Sequence, residues 1–322
     1  MRAVVIEEHG GPEVLRLADV EVPAPGPGQL KVRVEAAGVN FIDIYQRSGI
    51  YQTGLPYTLG LEGAGRVVAL GQGVTEVMVG ERVAWANCPG SYAEEVVIDA
   101  ALAVPVPGVL ASNLAAASML QGMTAHFLCH DTWKVQRGDT VLIHAGAGGV
   151  GLLLTQMCFR LGARVFTTVS TEEKAVLSRR AGASEAIRYD REDFAGEIRR
   201  LTDGRGVDVV YDAVGKSTFQ QSLECLRPRG LLVIYGAASG PVPPFDVQEL
   251  NRRGSLFLTR PTLFHHIADR ASLLARAADV LGQVSRSELD VRIGQTFPLA
   301  RAADAHRALE SRATTGKVLL TL

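Results

Sequence analysis

Three glycines carry the most specific chemical signal in this sequence of 322 residues. They have the spacing G-x-G-x-x-G and follow the apolar run VLIHA, and a stretch of helical composition comes directly after them. In such a turn the first glycine permits a tight bend, the second lets the backbone approach a pyrophosphate, and the third lets helix pack on strand. The start of the helix offers unpaired N–H groups to the phosphates. The sequence therefore predicts a dinucleotide-binding turn made of Gly146, Gly148, Gly149, Val150 and Gly151.

The end of the next predicted strand indicates which dinucleotide is bound. An NAD site usually has an acid there, which accepts a hydrogen bond from the ribose 2′-hydroxyl. Here the strand RVFTTVS ends at Ser170, and Thr171 and Lys174 follow. A hydroxyl and a cation suit the 2′-phosphate of NADPH. A carboxylate beside a phosphate is unfavourable, so Glu172 and Glu173 are compatible with this interpretation if they face solvent. For Lys174 the alternative interpretation is an exposed charge on the helix surface.

The elements around the turn alternate between strand and helix. From Val141 to Gly236, apolar runs of strand length are separated by amphipathic stretches of helix length, a pattern typical of βαβ units in a parallel sheet covered on both faces. The short run SLFLTR after a proline-rich loop is expected to be the sixth strand. The predicted fold class is α/β, with a doubly wound Rossmann-type sheet.

The first third of the chain differs from this pattern. Short alternating strands and turns predict a mainly β domain of partly antiparallel strands. The last segment, DVRIGQTFPLARAADAHRALESRATTGKVLLTL, indicates strand, helix and strand, and its final strand has no place in a six-stranded nucleotide domain. We therefore expect a discontinuous domain at 1–123 and 263–322, and a nucleotide domain at 124–262.

Composition excludes several classes of function. Lysine and arginine number 33 against 34 acidic residues, which gives no general attraction to nucleic acid or membrane. The N-terminus lacks a secretory pattern and no run could span a bilayer, so a cytoplasmic protein is expected. The four cysteines form no C-x-x-C pair and are expected to be buried and reduced, and no H-E-x-x-H metal spacing occurs.

With these motifs in place, the chain resembles the medium-chain dehydrogenases/reductases, and within them the zinc-independent, zeta-crystallin-like NADPH:quinone oxidoreductases. The resemblance covers the whole chain. It depends on HGGPEVL, AAGVNFIDIYQRSGIY, the glycine turn, VVYDAVG, GSLFLTRP and LESRATTGK. It implies a GroES-like catalytic domain beside the Rossmann domain, with the nicotinamide in the cleft between the two.

The resemblance also bears on zinc. Zinc-dependent relatives bind the catalytic metal through a cysteine and a histidine whose positions here correspond to Asn40 and Leu61. Neither residue is a good zinc ligand. The structural-zinc loop needs four cysteines, and only Cys88 is present there. We therefore expect no metal, and metal-dependent alcohol oxidation is disfavoured.

The resemblance implies site residues in both domains. Asn40, Tyr45 and Tyr51 are expected at the reaction site, where Asn40 hydrogen-bonds ribose or substrate and the tyrosines bind a flat quinone. Tyr189 closes the pocket around the 2′-phosphate. For Asp43 an ion pair with Arg47 is the preferred interpretation, although it lies among the cofactor candidates, and Arg312 is either a cofactor contact or a surface charge. The further cofactor candidates are Phe41, Ile42, Thr124, Val214, Gly236, Phe257 and Thr259.

The leading hypothesis is direct hydride transfer from NADPH to a quinone, which needs no strong acid because the hydroquinone anion is resonance-stabilised. An enone, enal or enoyl-thioester reductase on the same scaffold is the alternative. A further alternative is a protein of another class that binds NADPH or RNA or has a structural, crystallin-like role. The balanced charge argues against RNA binding. A homodimer is expected through the edge strand near Ser255–Thr259.

Overall fold

The computed structural model describes all residues from Met1 to Leu322. The strands are β1 (Arg2–Ile6), β2 (Arg16–Asp19), β3 (Gln29–Val39), β4 (Tyr57–Thr58), β5 (Gly63–Leu70), β6 (Arg82–Trp85), β7 (Glu95–Asp99), β8 (Val104–Pro105), β9 (Thr140–Ile143), β10 (Arg164–Val169), β11 (Glu185–Arg188), β12 (Val207–Asp212), β13 (Leu226–Ile234), β14 (Phe257–Thr259), β15 (Ile293–Pro298) and β16 (Lys317–Thr321). The helices are α1 (Phe41–Arg47), α2 (Ser112–Phe127), α3 (Gly149–Arg160), α4 (Glu172–Arg180), α5 (Phe194–Leu201), α6 (Phe219–Cys225), α7 (Gln248–Arg252), α8 (Leu263–His266), α9 (Arg270–Ser285) and α10 (Ala302–Glu310).

The chain forms two compact units. One consists of Met1–Met123 together with His266–Leu322, and the other of Thr124–His265. The second boundary therefore falls after His265 rather than after residue 262. No helix is both long and apolar enough to cross a membrane.

The second unit contains the parallel sheet that the alternating pattern predicted. Its strand order is β11-β10-β9-β12-β13-β14, and every pairing is parallel. Numbered from the first strand of the unit, this is 3-2-1-4-5-6, the order of a doubly wound dinucleotide fold. Every residue of β9 and β12 is buried, as expected for central strands covered on both faces. The prediction for this unit is confirmed, including β14 as the sixth strand.

The first unit is built on mixed and antiparallel sheets. A seven-stranded sheet has the path β15-β16-β3-β5-β6-β8, with β7 also paired to β3, and a three-stranded sheet has the order β2-β1-β4. The last strand, β16, pairs with β3 in antiparallel register, with Val318 opposite Val39. The tail of the chain thus returns to the N-terminal sheet, as its pattern indicated. Trp85, Leu30 and Ile98 lie in the core of this unit.

The pairing of β3 and β5 requires a glycine at one point. A Cβ atom on Gly65 would overlap the backbone carbonyl oxygen of Arg33 on the neighbouring strand. Because backbone cannot rotate away as a side chain can, the two strands would have to separate locally.

We therefore expect Gly65→Ala to lower the free energy of unfolding by about 1–3 kcal/mol, the usual cost of overpacking. Gly108→Ala is the matched control, because nothing lies within 4 Å of a Cβ built there. Urea denaturation of both variants measures the effect. Equal midpoints for the two variants would show that the β3–β5 contact tolerates a methyl group.

Candidate functional site

The glycine turn lies between β9 and α3, where the sequence placed it. The N-terminus of α3 is capped by Gly148, and no side chain accepts a hydrogen bond from the first turn. The first N–H groups of α3 thus remain available to an anion. This arrangement is compatible with a bound phosphate group.

Crowding explains two of the three glycines in the motif. A Cβ on Gly146 would lie 2.5 Å from the Cβ of Thr167 in β10, and one on Gly151 would overlap the carbonyl oxygen of Ala145. The left-handed backbone conformation of the turn belongs to Ala145, with φ of 54°, and not to Gly146. Gly146 is required because the turn packs against the next strand, which corrects the expectation that it supplies the tight bend.

Ser170 and Lys174 meet at the end of β10. The Lys174 ammonium donates a hydrogen bond to the Ser170 hydroxyl over 3.2 Å. Thr171 caps α4, its side chain accepting from the Lys174 N–H at 3.3 Å. Glu172 forms an ion pair with Arg179 at 3.0 Å. This fits the expectation that the Glu172 carboxylate does not oppose a bound anion. The strand tip therefore presents a cation and two hydroxyl groups.

The remaining candidates of this unit lie on several elements. Tyr189 follows β11 and is 44% exposed, whereas Thr124 is buried in α2. Val214 lies in the turn after β12, and a Cβ on Gly236 after β13 would lie 2.6 Å from the Ala213 carbonyl oxygen. Phe257 and Thr259 are on the edge strand β14, where Phe257 is 57% exposed.

A buried network that the sequence analysis missed connects the ends of three strands. His144, directly after β9, bonds the Thr168 hydroxyl of β10 at 2.8 Å and the Ser222 hydroxyl of α6 at 2.9 Å. Asp212, at the end of β12, accepts from Ser222 and from the N–H groups of Val214 and Gly215 at 2.7 and 2.9 Å. Burial lowers the pKa of His144, so the ring is neutral. The network holds the turns that follow β9 and β12.

In the first unit, a second polar cluster surrounds Asn40, which lies between β3 and α1. The Asn40 amide donates to Glu62 at 2.7 Å, and its oxygen accepts from Lys317 at 2.9 Å and from Gln121 at 3.2 Å. Glu62 and Lys317 also form a direct ion pair. Both side chains are buried, Glu62 at 0% and Lys317 at 1% exposure. Burial lowers the pKa of Lys317 to about 7, although the charge of Asp43 raises it.

Asp43 is buried completely and faces a different set of partners. Its carboxylate accepts from the Asn40 N–H at 2.8 Å and from the Tyr92 hydroxyl at 2.9 Å. Burial raises the pKa of Asp43 to about 6, and these two hydrogen bonds and Lys317 oppose the increase. The expected ion pair with Arg47 is wrong. Arg47 is itself buried. Its guanidinium pairs with the Glu310 carboxylate at 2.6 Å, because α10 brings that carboxylate within reach.

The aromatic candidates form one group on and after α1. Tyr45 lies 5.3 Å from Tyr51 in an edge-to-face arrangement and 6.2 Å from Phe41, measured between ring centroids. Tyr45 is buried at 7% exposure, whereas Tyr51 is 40% exposed. Ile42 is half-buried on the same helix. Arg312 is exposed after α10, with φ of 58°.

Two positions, Asn40 and Leu61, correspond to zinc ligands in zinc-dependent relatives, and both have other surroundings here. Asn40 is held by the charged pair, and Leu61 is a core residue at 3% exposure. No group of three or more His, Cys, Asp or Glu side chains is arranged to hold a metal ion. A buried ammonium beside Asn40 also opposes a second cation. These residues do not fit a catalytic zinc, and the absence of metal remains a prediction.

Comparisons with known proteins agree with this arrangement. Residues 26–108 match the model for the alcohol dehydrogenase GroES-like domain, and residues 149–272 that for the zinc-binding dehydrogenases. A quinone oxidoreductase of Pseudomonas aeruginosa is 46% identical over 97% of both chains, and a 2-haloacrylate reductase of a Burkholderia species is 44% identical over 99% of this chain and 98% of its own. The structure of Escherichia coli quinone oxidoreductase complexed with NADPH superposes with a TM-score of 0.98, with 38% identity and full coverage of both chains.

The two units and their sites thus define a medium-chain dehydrogenase/reductase with a dinucleotide-binding domain. Within that class, the chain belongs to the quinone oxidoreductase family.

The Tyr92–Asp43 bond gives a pH-dependent prediction for stability. A carboxyl whose pKa is higher in the folded chain binds its proton more tightly when folded, so its contribution to stability falls as the pH rises from its ordinary 3.8 through about 6. Tyr92→Phe removes a donor from the ionised form, so the loss is expected to be about 1.5–3 kcal/mol near pH 8 and smaller near pH 5.

Urea denaturation at the two pH values measures this effect. Tyr57→Phe is the control, because the Tyr57 hydroxyl bonds the neutral side chain of Gln46. A loss for Tyr92→Phe that is the same at both pH values would contradict the assignment of an ionised Asp43 above pH 6.

Proposed function

We propose that this protein reduces quinones with NADPH, without a metal ion. One observation carries the choice of cofactor: the Lys174 ammonium lies beside Ser170 at the tip of the second parallel strand, where an NAD site would have an acid. The family resemblance and the NADPH complex of the E. coli relative support the same choice. A cytoplasmic location is part of the proposal.

The residues of the second unit fit this cofactor. The uncapped start of α3 and the glycines of its turn receive the pyrophosphate, and Ser170, Thr171 and Lys174 receive the 2′-phosphate with Tyr189 over it. Bound NADPH supplies the hydride, so the chain itself needs only to bind, orient and exclude water. Thr124, Val214, Gly236, Phe257, Thr259 and Arg312 remain proposed contacts.

In the first unit, Asn40, Tyr45 and Tyr51 are the proposed residues of the reaction site. The two rings are edge-to-face, and the face of a single ring, above all that of the more exposed Tyr51, offers a flat apolar surface for a quinone. Phe41, Ile42 and Asp43 belong to the same segment, where the completely buried Asp43 acts by holding the Asn40 backbone. A quinone needs no proton relay at this pair, because the hydroquinone anion is resonance-stabilised.

A second candidate reaction is the reduction of an activated carbon–carbon double bond. The observation in its favour is the 44% identity to 2-haloacrylate reductase over almost the whole chain. Such a reaction produces a carbanion-like product that requires a proton donor, whereas a hydroquinone anion is stable enough to be protonated by solvent. The two candidates therefore differ in their need for a tyrosine hydroxyl.

We expect Lys174→Ala to weaken NADPH binding about tenfold to a hundredfold and to leave NADH binding nearly unchanged, because one charged contact is worth about 1.5–3 kcal/mol. Isothermal titration calorimetry with both nucleotides measures this. Lys134→Ala, at an exposed lysine of the same unit, is the control. Equal affinity of the unaltered protein for NADPH and NADH would reject the cofactor assignment.

Substitutions of Tyr51 test the reaction. Tyr51→Phe is expected to keep most of the turnover of NADPH with simple para-quinones, and Tyr51→Ala to raise the KM for the quinone by removing the flat surface. The same comparison applies to Tyr45. A loss of several orders of magnitude in kcat for a Phe variant would show that a hydroxyl proton is required, and would favour the double-bond reductase.

Assembly as a homodimer through β14 is part of the proposal. This strand is the edge of the parallel sheet, and Phe257 and Leu258 are 57% and 38% exposed on it. Pairing with a second copy would cover both the apolar side chains and the unpaired backbone groups. Leu258→Lys is expected to yield monomers in sedimentation velocity at micromolar concentration, whereas Val109→Lys, at another exposed apolar site, should not. A monomeric unaltered protein would refute this assembly.

A further inference from the structure

The Asn40 amide is held at both ends by groups of fixed hydrogen-bonding character. Lys317 approaches its oxygen at 2.9 Å, and Glu62 approaches its nitrogen at 2.7 Å. An ammonium can only donate, and a carboxylate can only accept. A rotated amide would face N–H against ammonium and oxygen against carboxylate. The amide therefore has a single permitted orientation.

This orientation determines what Asn40 can offer to a ligand. Its oxygen already accepts two hydrogen bonds, from Lys317 and from Gln121. Its nitrogen carries two hydrogens, of which one is donated to Glu62. The second hydrogen is the only capacity that remains. Asn40 can therefore act on a ligand as a hydrogen-bond donor and not as an acceptor.

The charged pair is a costly way to fill this space. Each buried ion loses its hydration, and replacing a buried ion pair by neutral groups of similar volume is often neutral or stabilising. Glu62 has a further partner, since its second oxygen accepts from the Leu120 N–H of α2 at 2.7 Å. The carboxylate is thereby fixed to the helix as well as to Lys317. The stability of the fold gives little reason to bury the Glu62–Lys317 ion pair, whereas the orientation of the Asn40 amide does.

We propose that Glu62 and Lys317 are positioning residues of the reductase, which orient Asn40 so that it donates a hydrogen bond to an oxygen atom of the bound ligand. This inference rests on the proposed function. The ligand group is an acceptor oxygen, either a ribose hydroxyl or the quinone carbonyl. At a carbonyl that gains negative charge as hydride arrives, such a donor is worth most in the transition state.

The test compares stability with kinetics in a set of variants. Either Glu62→Gln or Lys317→Met leaves one buried charge without its partner and should lower the Tm. The double variant removes both charges and should recover most of the Tm. Its kcat/KM for a para-quinone should nevertheless stay about tenfold below that of the unaltered protein, because the amide is no longer oriented.

Asn40→Ala completes the comparison. It should lose about as much kcat/KM as the double variant, and adding it to the double variant should cause no further loss, since all the variants remove the same donated bond. Gln121→Leu is the matched control, because it removes a neutral contact to the same amide oxygen and leaves both charges in place. Calorimetric titration with NADPH gives a second readout, which separates a lost ribose contact from a lost quinone contact.

If the double variant fails to fold, Glu62→Gln and Lys317→Met serve instead, each with kcat/KM measured well below its own Tm. Recovery of both Tm and kcat/KM in the neutral variants would reduce the pair to a structural role and overturn the inference. An Asn40→Ala variant with unaltered kinetics and NADPH affinity would also overturn it, while turnover of quinones by the same protein would leave the proposed function standing.

Discussion

The buried ion pair of Glu62 and Lys317 is the constraint on which the first unit depends most. It joins β16, at the end of the chain, to the segment before β5 and, through Asn40, to the junction of β3 and α1. Because an unpaired buried charge is costly, loss of either residue destabilises the unit. The C-terminal strand must therefore be in place for the site around Asn40 to exist.

The second unit holds its site by a different means. There the buried partners are neutral or singly charged: a neutral His144, two hydroxyl groups, and Asp212 surrounded by donors. Such a network fixes the turns after the strands and leaves the donors at the proposed phosphate-binding positions out of the network. At the strand tip, Lys174 donates a hydrogen bond to Ser170, and Glu172 pairs with Arg179.

The sequence predicted the features that depend on local pattern. The glycine turn, the parallel sheet with its sixth strand and the return of the tail follow from spacing, alternation and length, and the structure has them. The partners of Asn40 could not be predicted in this way. Lys317 is 277 residues away along the chain and is followed by the buried apolar residues 318–320. It ends the motif LESRATTGK, but neither that motif nor any periodic pattern indicates which residues its side chain contacts. A lysine directly before a buried apolar run was the one further indication. Arg47 shows the same difficulty, since its partner Glu310 lies in a distant helix.

These arrangements leave the chemistry to the cofactor and give the protein the tasks of binding and orientation. The most direct test is the effect of isotopes on a single turnover of NADPH with a para-quinone, followed by stopped-flow absorbance. Deuterium at the transferred position of the nicotinamide is expected to slow the reaction clearly, and deuterated solvent to leave the rate almost unchanged. A large solvent effect with no effect of the labelled nicotinamide would contradict the account, because a proton transfer from the protein would then limit the reaction.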